Sequence, residues 1–263
     1  MIERLPDAAD PADPAALADR LPYRIARPCR VRFEEATSSE TMRTAIYLAW
    51  AADIAWQHST LLGFGRDWYT ARGIFWVVRA VRLDVLRPIR TYADVFVTTE
   101  VTGFRRIAAR RHSEVRDPNG GLLAEIEIDW VMVNERGTPT RVPGEMRKFL
   151  ADEAATFEML KVVIPEAPPD AIEWSFGVRR RDLDPMDHVN NSVYIDYLEE
   201  TLEAAGQGSL VTSWPRRYEI DFVASAERDD SLVGRTWPLE DGWAFRLSRV
   251  DGTEMFRARV AAI

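Results

Sequence analysis

Cysteine is almost missing: Cys29 is the only one in 263 residues. An intrachain disulfide and a cysteine-built metal cluster are therefore excluded, and a reducing cytoplasm fits. Lysine is nearly as scarce, with Lys148 and Lys161 alone among 34 basic residues. Positive charge is short overall. A net charge of −8 argues against nucleic acid as the main partner, because phosphate backbones require a basic surface. No apolar run approaches the ~18 residues of a membrane span, so no membrane partner is expected. Residues 1–22 are acidic and rich in Pro and Ala, unlike a signal peptide, and are expected to form a mobile leader. A glycine-rich phosphate loop, a G-x-S-x-G elbow and zinc-ligand spacings are all lacking.

What is present is a well-patterned globular chain, 46% hydrophobic and able to bury a large core. A strand from Tyr23 leads to a helix over about 41–62, with Thr37 and Glu40 at capping-box spacing. That helix is apolar nearly all round, so a sheet should wrap it. Asp53 and His58 are its odd residues. Strand-like runs follow at 74–86, 93–101, 105–116 and 122–134, separated by Pro, Asn and Gly turn signals. Residues 137–171 are proline-rich with a short helical patch near 145–159, and read as a linker between units at 23–136 and 172–263. The second unit repeats the order: a strand at 172–181, a charged turn, a helix, then strands near 217–223, 231–238, 243–250 and 254–263. One helix followed by a run of strands is an α+β pattern.

The two units superpose in sequence through the strand, turn and helix. A shift of 147 places Val31 on Val178, Glu35 on Asp182, Tyr47 on Tyr194 and Trp50 on Tyr197, which indicates a fused duplication. Thr37 then stands where Asp184 is, and Thr41 where His188 is. Only the second unit keeps the acid and the imidazole, so one active site per chain is expected.

The stretch 182–200 concentrates chemistry-bearing residues: Asp182, Asp184, Asp187, His188, Asn190 and Asn191, then a helix with Tyr194 and Tyr197 on its apolar face. Asp184 and Asp187 share the cap spacing of Thr37 and Glu40, so Asp184 either caps the helix or does chemistry. The three acids lack the glycine and distal Glu of a calcium loop, and no metal is assigned to them. Glu199 and Glu200 fit a solvated helix stripe, His58 fits the end of the first helix, and the basic run 104–112 fits a solvated strand edge. Asp53 reads either as a satisfied buried acid or as a contact to the second unit's turn.

The motif D-x-D-x-M-x-H-V-N-N-x-x-Y-x-x-Y-x-E, running from Asp182 to Glu199, resembles the hot-dog thioesterases, whose 4-hydroxybenzoyl-CoA-type members also carry the pair seen here as Asp184-Pro185. Two such units in tandem resemble the acyl-ACP thioesterases. The first unit agrees through residues 75–79, Val95, residues 129–134 and the Ile-Ala-Trp-Gln-His run ending at His58. The resemblance implies a double hot-dog fold, each unit a central helix wrapped by a curved antiparallel sheet. It also implies an acyl thioesterase acting on an acyl carrier protein or CoA thioester without cofactor or metal, as a monomer or homodimer. Two departures stand out. Met186 occupies the place of the family's Asn, and its Glu-Cys pair falls on Ser225 and Ala226.

On that resemblance Asp184 is the expected base or nucleophile and His188 its assistant. The backbone N–H groups of Val189, Asn190 and Asn191 are candidate oxyanion donors. Asn190 and Asn191 also suit capping. Trp50, Asp53, Ile54 and Trp56 would line a substrate pocket in the first unit. A hot-dog hydratase or dehydratase, and a non-catalytic acyl-binding protein, are the alternatives.

Overall fold

The structure is a computed structural model that describes residues 23–149 and 156–263. The expected leader at 1–22 lies outside the described residues. The first unit comprises β1 (Arg24–Arg30), α1 (Thr44–Leu61), the short α2 (Arg66–Thr70), β2 (Ile74–Val85), β3 (Asp94–Phe104), β4 (Ala108–Arg116) and β5 (Leu122–Asn134). The second comprises β6 (Ile172–Gly177), α3 (Val193–Ala204), the short α4 (Gly208–Thr212), β7 (Arg216–Phe222), β8 (Ser231–Leu239), β9 (Gly242–Arg249) and β10 (Glu254–Ala262). The α+β pattern holds, and among the described residues no helix is long and apolar enough to cross a membrane.

All ten strands form one antiparallel sheet in the order β1-β3-β4-β5-β2-β7-β10-β9-β8-β6. Read outward from its middle, each half gives the same sequence of strands, and the halves meet at β2 and β7. A twofold axis there is testable in the register. With Arg79 laid on Arg216, a shift of 137, the pair Ala80–Asp221 requires Asp84–Arg217, and Val81–Ile220 requires Leu83–Tyr218; both occur. Asp84 binds Arg217 through two contacts of 2.6 Å across this seam. The central helices α1 and α3 lie on one face of the sheet and pack against each other. One continuous core of Tyr47, Leu48, Leu83, Ile126, Tyr194, Ile195, Tyr218 and Phe256 fills the space beneath them.

Several local expectations are corrected. Thr37 and Glu40 do not cap α1: Glu40 sits at φ 58° within a separate turn, and the helix begins seven residues beyond Thr37, at Thr44. Here short-range turn bonding wins over the capping pattern. The strand at 172–181 ends at Gly177 because Arg180–Asp182 forms a 3-10 turn. Of the helical patch expected at 145–159, Gly144–Phe149 forms a 3-10 turn, 156–159 has no regular structure and 150–155 lie outside the described residues. Beyond it, Phe157 and Met159 pack on Ala108, Val131 and Val133, and the Leu160 N–H donates to Asp129 at 2.6 Å. The basic run is not a sheet edge, since β4 lies between β3 and β5. Its alternation sends Arg110 outward to Asp129 and Arg111 inward, 3.0 Å from His58 Nδ1. His58 is fully buried instead of merely facing the helix end. Burial pulls the Arg111 guanidinium down to about 10, with the nearby Tyr69 hydroxyl acting the other way.

Candidate active site

The turn at 182–191 is built twice in this molecule, bond for bond. Asp182 accepts the Arg179 N–H at 2.8 Å as Glu35 accepts that of Arg32. Asp184 N–H donates to the His188 carbonyl at 2.8 Å as Thr37 N–H does to Thr41. Bridges join Leu183 to Val189 and Ala36 to Met42, and Asp187 shares the positive φ of Glu40. The duplication inferred from sequence therefore extends to individual hydrogen bonds.

Much of the motif is scaffold. The Tyr197 hydroxyl donates to Asp182 at 3.0 Å, locking turn to helix, and the Tyr194 hydroxyl accepts the Ala226 N–H at 2.7 Å. Val189 is buried and its N–H donates to the Ala226 carbonyl at 2.9 Å. The Asn190 N–H donates to the Asp182 carbonyl, and its side-chain oxygen accepts both the N–H and the hydroxyl of Ser192 at 3.0 and 2.8 Å. Two of the three expected oxyanion donors, Val189 and Asn190, are thus spent within the fold. Asp187 is held by Arg228 at 2.6 Å.

What remains free is a small set. Asp184 is half-buried; its Oδ1 accepts the N–H groups of Met186 and His188 at 2.8 and 3.3 Å, whereas Oδ2 accepts no hydrogen bond among the described residues. Asp184 therefore braces its own turn and does not cap α3, which starts at Val193 after Ser192. The His188 imidazole is exposed, and no hydrogen bond or ion pair engages it among the described residues. Among the described residues Asn191 has neither its N–H nor its carboxamide engaged, and it sits at the start of α3, where the positive end of the helix dipole favours developing negative charge. Sequence reasoning missed Glu227, which a backbone bridge sets directly beside His188 and which is exposed. Only the bridge reveals it, since its neighbours Ser225 and Ala226 had been matched to the family's polar pair.

The residues expected to line a first-unit pocket lie along α1 in differing environments. Ile54 is core, Trp50 is half-buried against that core, and Trp56 is 46% exposed. Asp53 is exposed and accepts from Gln57 at 2.7 Å, which in turn accepts from Arg27 at 3.1 Å. It is neither a buried acid nor hydrogen-bonded to the second turn. Glu199, expected to be solvated, is instead half-buried at the seam and bonded to Tyr218 at 2.6 Å, whereas Glu200 is exposed.

The profile of the acyl-ACP thioesterase N-terminal domain matches residues 23–150, and that of the C-terminal domain matches residues 166–246. The chain belongs to the acyl-ACP thioesterase family. Among curated members it is 32% identical over 215 residues to the chloroplastic acyl-[acyl-carrier-protein] hydrolase FATB2 of Cuphea viscosissima, covering 75% of this chain and 51% of that one. The chain thus spans about half the length of that relative. Its fold matches a Bacteroides thetaiotaomicron acyl-ACP thioesterase at a TM-score of 0.78 and 17% identity, covering 91% of this chain and 97% of the other. It matches the 12:0-ACP thioesterase of Umbellularia californica at a TM-score of 0.76 and 21% identity, with 91% and 97% covered. The double hot-dog fold of this acyl-ACP thioesterase family member is therefore shared with family members over nearly the whole chain.

Proposed function

We propose that this chain hydrolyses an acyl thioester to a carboxylic acid and a free thiol, with the carrier an acyl carrier protein in preference to CoA. The observation that carries the chemistry is the free Asp184 Oδ2, in the same turn as the unengaged His188 imidazole, where the other polar groups are largely spent on the fold. The names of the relatives, which specify acyl carrier protein, support the choice of carrier.

Oδ1 of Asp184 is fixed by two backbone donors, so Oδ2 is presented in a defined direction. It acts as base toward a water molecule, which adds to the thioester carbonyl. The oxygen that becomes negative accepts the N–H of Asn191, a donor of the kind typically contributing ~3 kcal/mol in the transition state. Collapse of the intermediate breaks the C–S bond, and the proton taken from water returns to the departing thiolate through His188. Glu227 completes the charged rim beside that imidazole.

The test is thiol release from a panel of acyl-ACP and acyl-CoA thioesters, comparing the wild type with Asp184→Asn. Asparagine retains the Oδ1 acceptor, so the turn is kept while the base is removed. Turnover should fall at least ~100-fold, within the usual range for a lost general base. Saturable binding without turnover in the wild type would instead favour the non-catalytic reading, which Met186 in place of the family's Asn supports.

A further inference from the structure

The pseudo-twofold axis creates two equivalent seams, each between the turn of one half and the helix of the other, and they are finished in opposite ways. At the first-half turn, Thr44 and Arg43 at the start of α1 meet Glu199 and Asp196 on α3. Arg43 lies 3.9 Å from Asp196. Glu199 belongs to a closed ring of hydrogen bonds: it accepts from the Tyr218 hydroxyl at 2.6 Å and bonds Thr44. The same phenol accepts from Arg216 Nε at 3.0 Å, and Arg216 Nη2 donates to Thr44 at 2.9 Å. Thr44, Arg216 and Tyr218 are buried, and the third nitrogen of Arg216 is spent on the Ser213 carbonyl at 2.7 Å. The ring engages all three guanidinium nitrogens of Arg216 and the hydroxyls of Thr44 and Tyr218.

The shifts of 147 and 137 identify the same positions at the other seam, the one beside Asp184 and His188. Thr44 becomes Asn191, Arg43 becomes Asn190, Glu199 becomes Ala52, Asp196 becomes Ala49 and Tyr218 becomes Val81. Arg216 becomes Arg79, which turns away to the Phe222 carbonyl at 2.5 Å and to Asp221 at 3.6 Å. Every acid that would reach across is a methyl group. Asn191, in the place of the sealed hydroxyl, has no partner among the described residues, and Ala52 keeps partial exposure.

We infer that Ala52 determines which seam works: its methyl group keeps the seam beside Asp184 open for the thioester and the adjoining acyl carbons, and the carboxylate of Glu199 closes the counterpart. This deepens the thioesterase reading and rests on it. Ala52 is a specificity-determining residue, whose side chain bounds the space that the scissile group must enter to meet Asp184 and Asn191.

The experiment compares wild type, Ala52→Glu, Ala52→Leu and Glu199→Gln. It measures kcat/KM for thiol release from dodecanoyl-ACP, Kd for the non-hydrolysable thioether S-dodecylpantetheine, and thermal unfolding. Restoring the carboxylate, or filling the space with leucine, should lower kcat/KM at least ~100-fold, the size of loss that misplacing a reacting group causes. Binding of the thioether should weaken at least ~10-fold, with cooperative unfolding retained. Glu199→Gln should lower the melting temperature and leave kcat/KM within ~3-fold, because the sealed seam carries no substrate. Folded Ala52 variants that hydrolyse and bind like wild type would overturn the inference. A wild type that binds the thioether without turnover would sink the thioesterase reading alone, and the Kd values would still decide the role of Ala52. A wild type that neither hydrolyses nor binds would overturn both.

Discussion

Asp184 and Thr37 perform the same structural task with different groups. The Thr37 hydroxyl accepts the Ser39 N–H at 3.3 Å and lies 3.0 Å from the Thr41 hydroxyl, while the carboxylate of Asp184 accepts from Met186 and His188. A hydroxyl suffices to brace the turn, so the second oxygen of Asp184 is surplus to folding. That surplus is the physical basis for assigning it chemistry. Stability and activity should therefore separate: Asp184→Ala loses the brace and about 1 kcal/mol of stability in urea titration, whereas Asp184→Asn unfolds at the wild-type midpoint while losing turnover. Equal losses of stability in both variants would show that the charge itself holds the turn. At this scale the sequence exposed the acid, the imidazole and the duplication, because identity and spacing suffice for those. It did not expose which N–H groups were free. Val189 and Asn190 are consumed by partners at Ala226 and Asp182, and those distances exist only once the bridge to residues 226–227 has formed.

The helices differ in the face they turn to the seam. On α3, burial pushes the Asp196 carboxyl up from 3.8 to about 6, with Arg43 opposing and Glu199 and Glu200 adding to the rise. Burial also raises Glu199, against hydrogen bonds from Thr44 and Tyr218 and the charge of Arg216. A carboxyl whose folded value lies above its unfolded one holds its proton longer in the folded state. The folded state is thus favoured below the unfolded value, and the advantage disappears as pH rises from about 4 through about 6. Chemical denaturation across that window should show stability from this cluster falling with pH. Asp196→Asn should flatten part of the slope and leave the variant about 1 kcal/mol more stable than wild type at neutral pH, after discounting for its partial solvent exposure. A wild-type slope unchanged by that substitution would remove Asp196 from the cluster. Periodicity made these elements legible, since alternation in 74–86 and 122–134 needs only the local chain. The polar stripe of α3 misled for Glu199, because the partner that buries it, Tyr218, lies on a strand that pairs with the other half.

Across the whole molecule, with Ala52 in its inferred role, fusion turns what would be two equivalent sites into one open and one sealed. The proposed site is shared: Asp184, His188 and Asn191 come from the second half, while Ala52 and the helix that carries it come from the first. Strands β2 and β7 would each be a bare edge if the halves were separated, offering unpaired backbone groups and part of a common core to any partner. The succession of elements along the chain was readable from the repeated pattern, and the double hot-dog from the resemblance its motif carries. The asymmetry of acid and imidazole was readable too, but that of the seams was not, because the shift of 147 pairs Glu199 with Ala52 without saying that both face a seam. A chain split within residues 150–155 tests this arrangement directly. Residues 156–263 alone should pair with themselves through β7 or aggregate, and should hydrolyse no thioester, since a second α3 would present Glu199 where the working site has Ala52. Mixed with the first half during refolding, the two pieces should rebuild the β2–β7 ladder, with its Asp84–Arg217 pair, and recover thiol release. Size-exclusion chromatography with light scattering, read beside the hydrolysis assay, decides the matter: a catalytically competent second half on its own would mean that the first half's helix contributes nothing to the site.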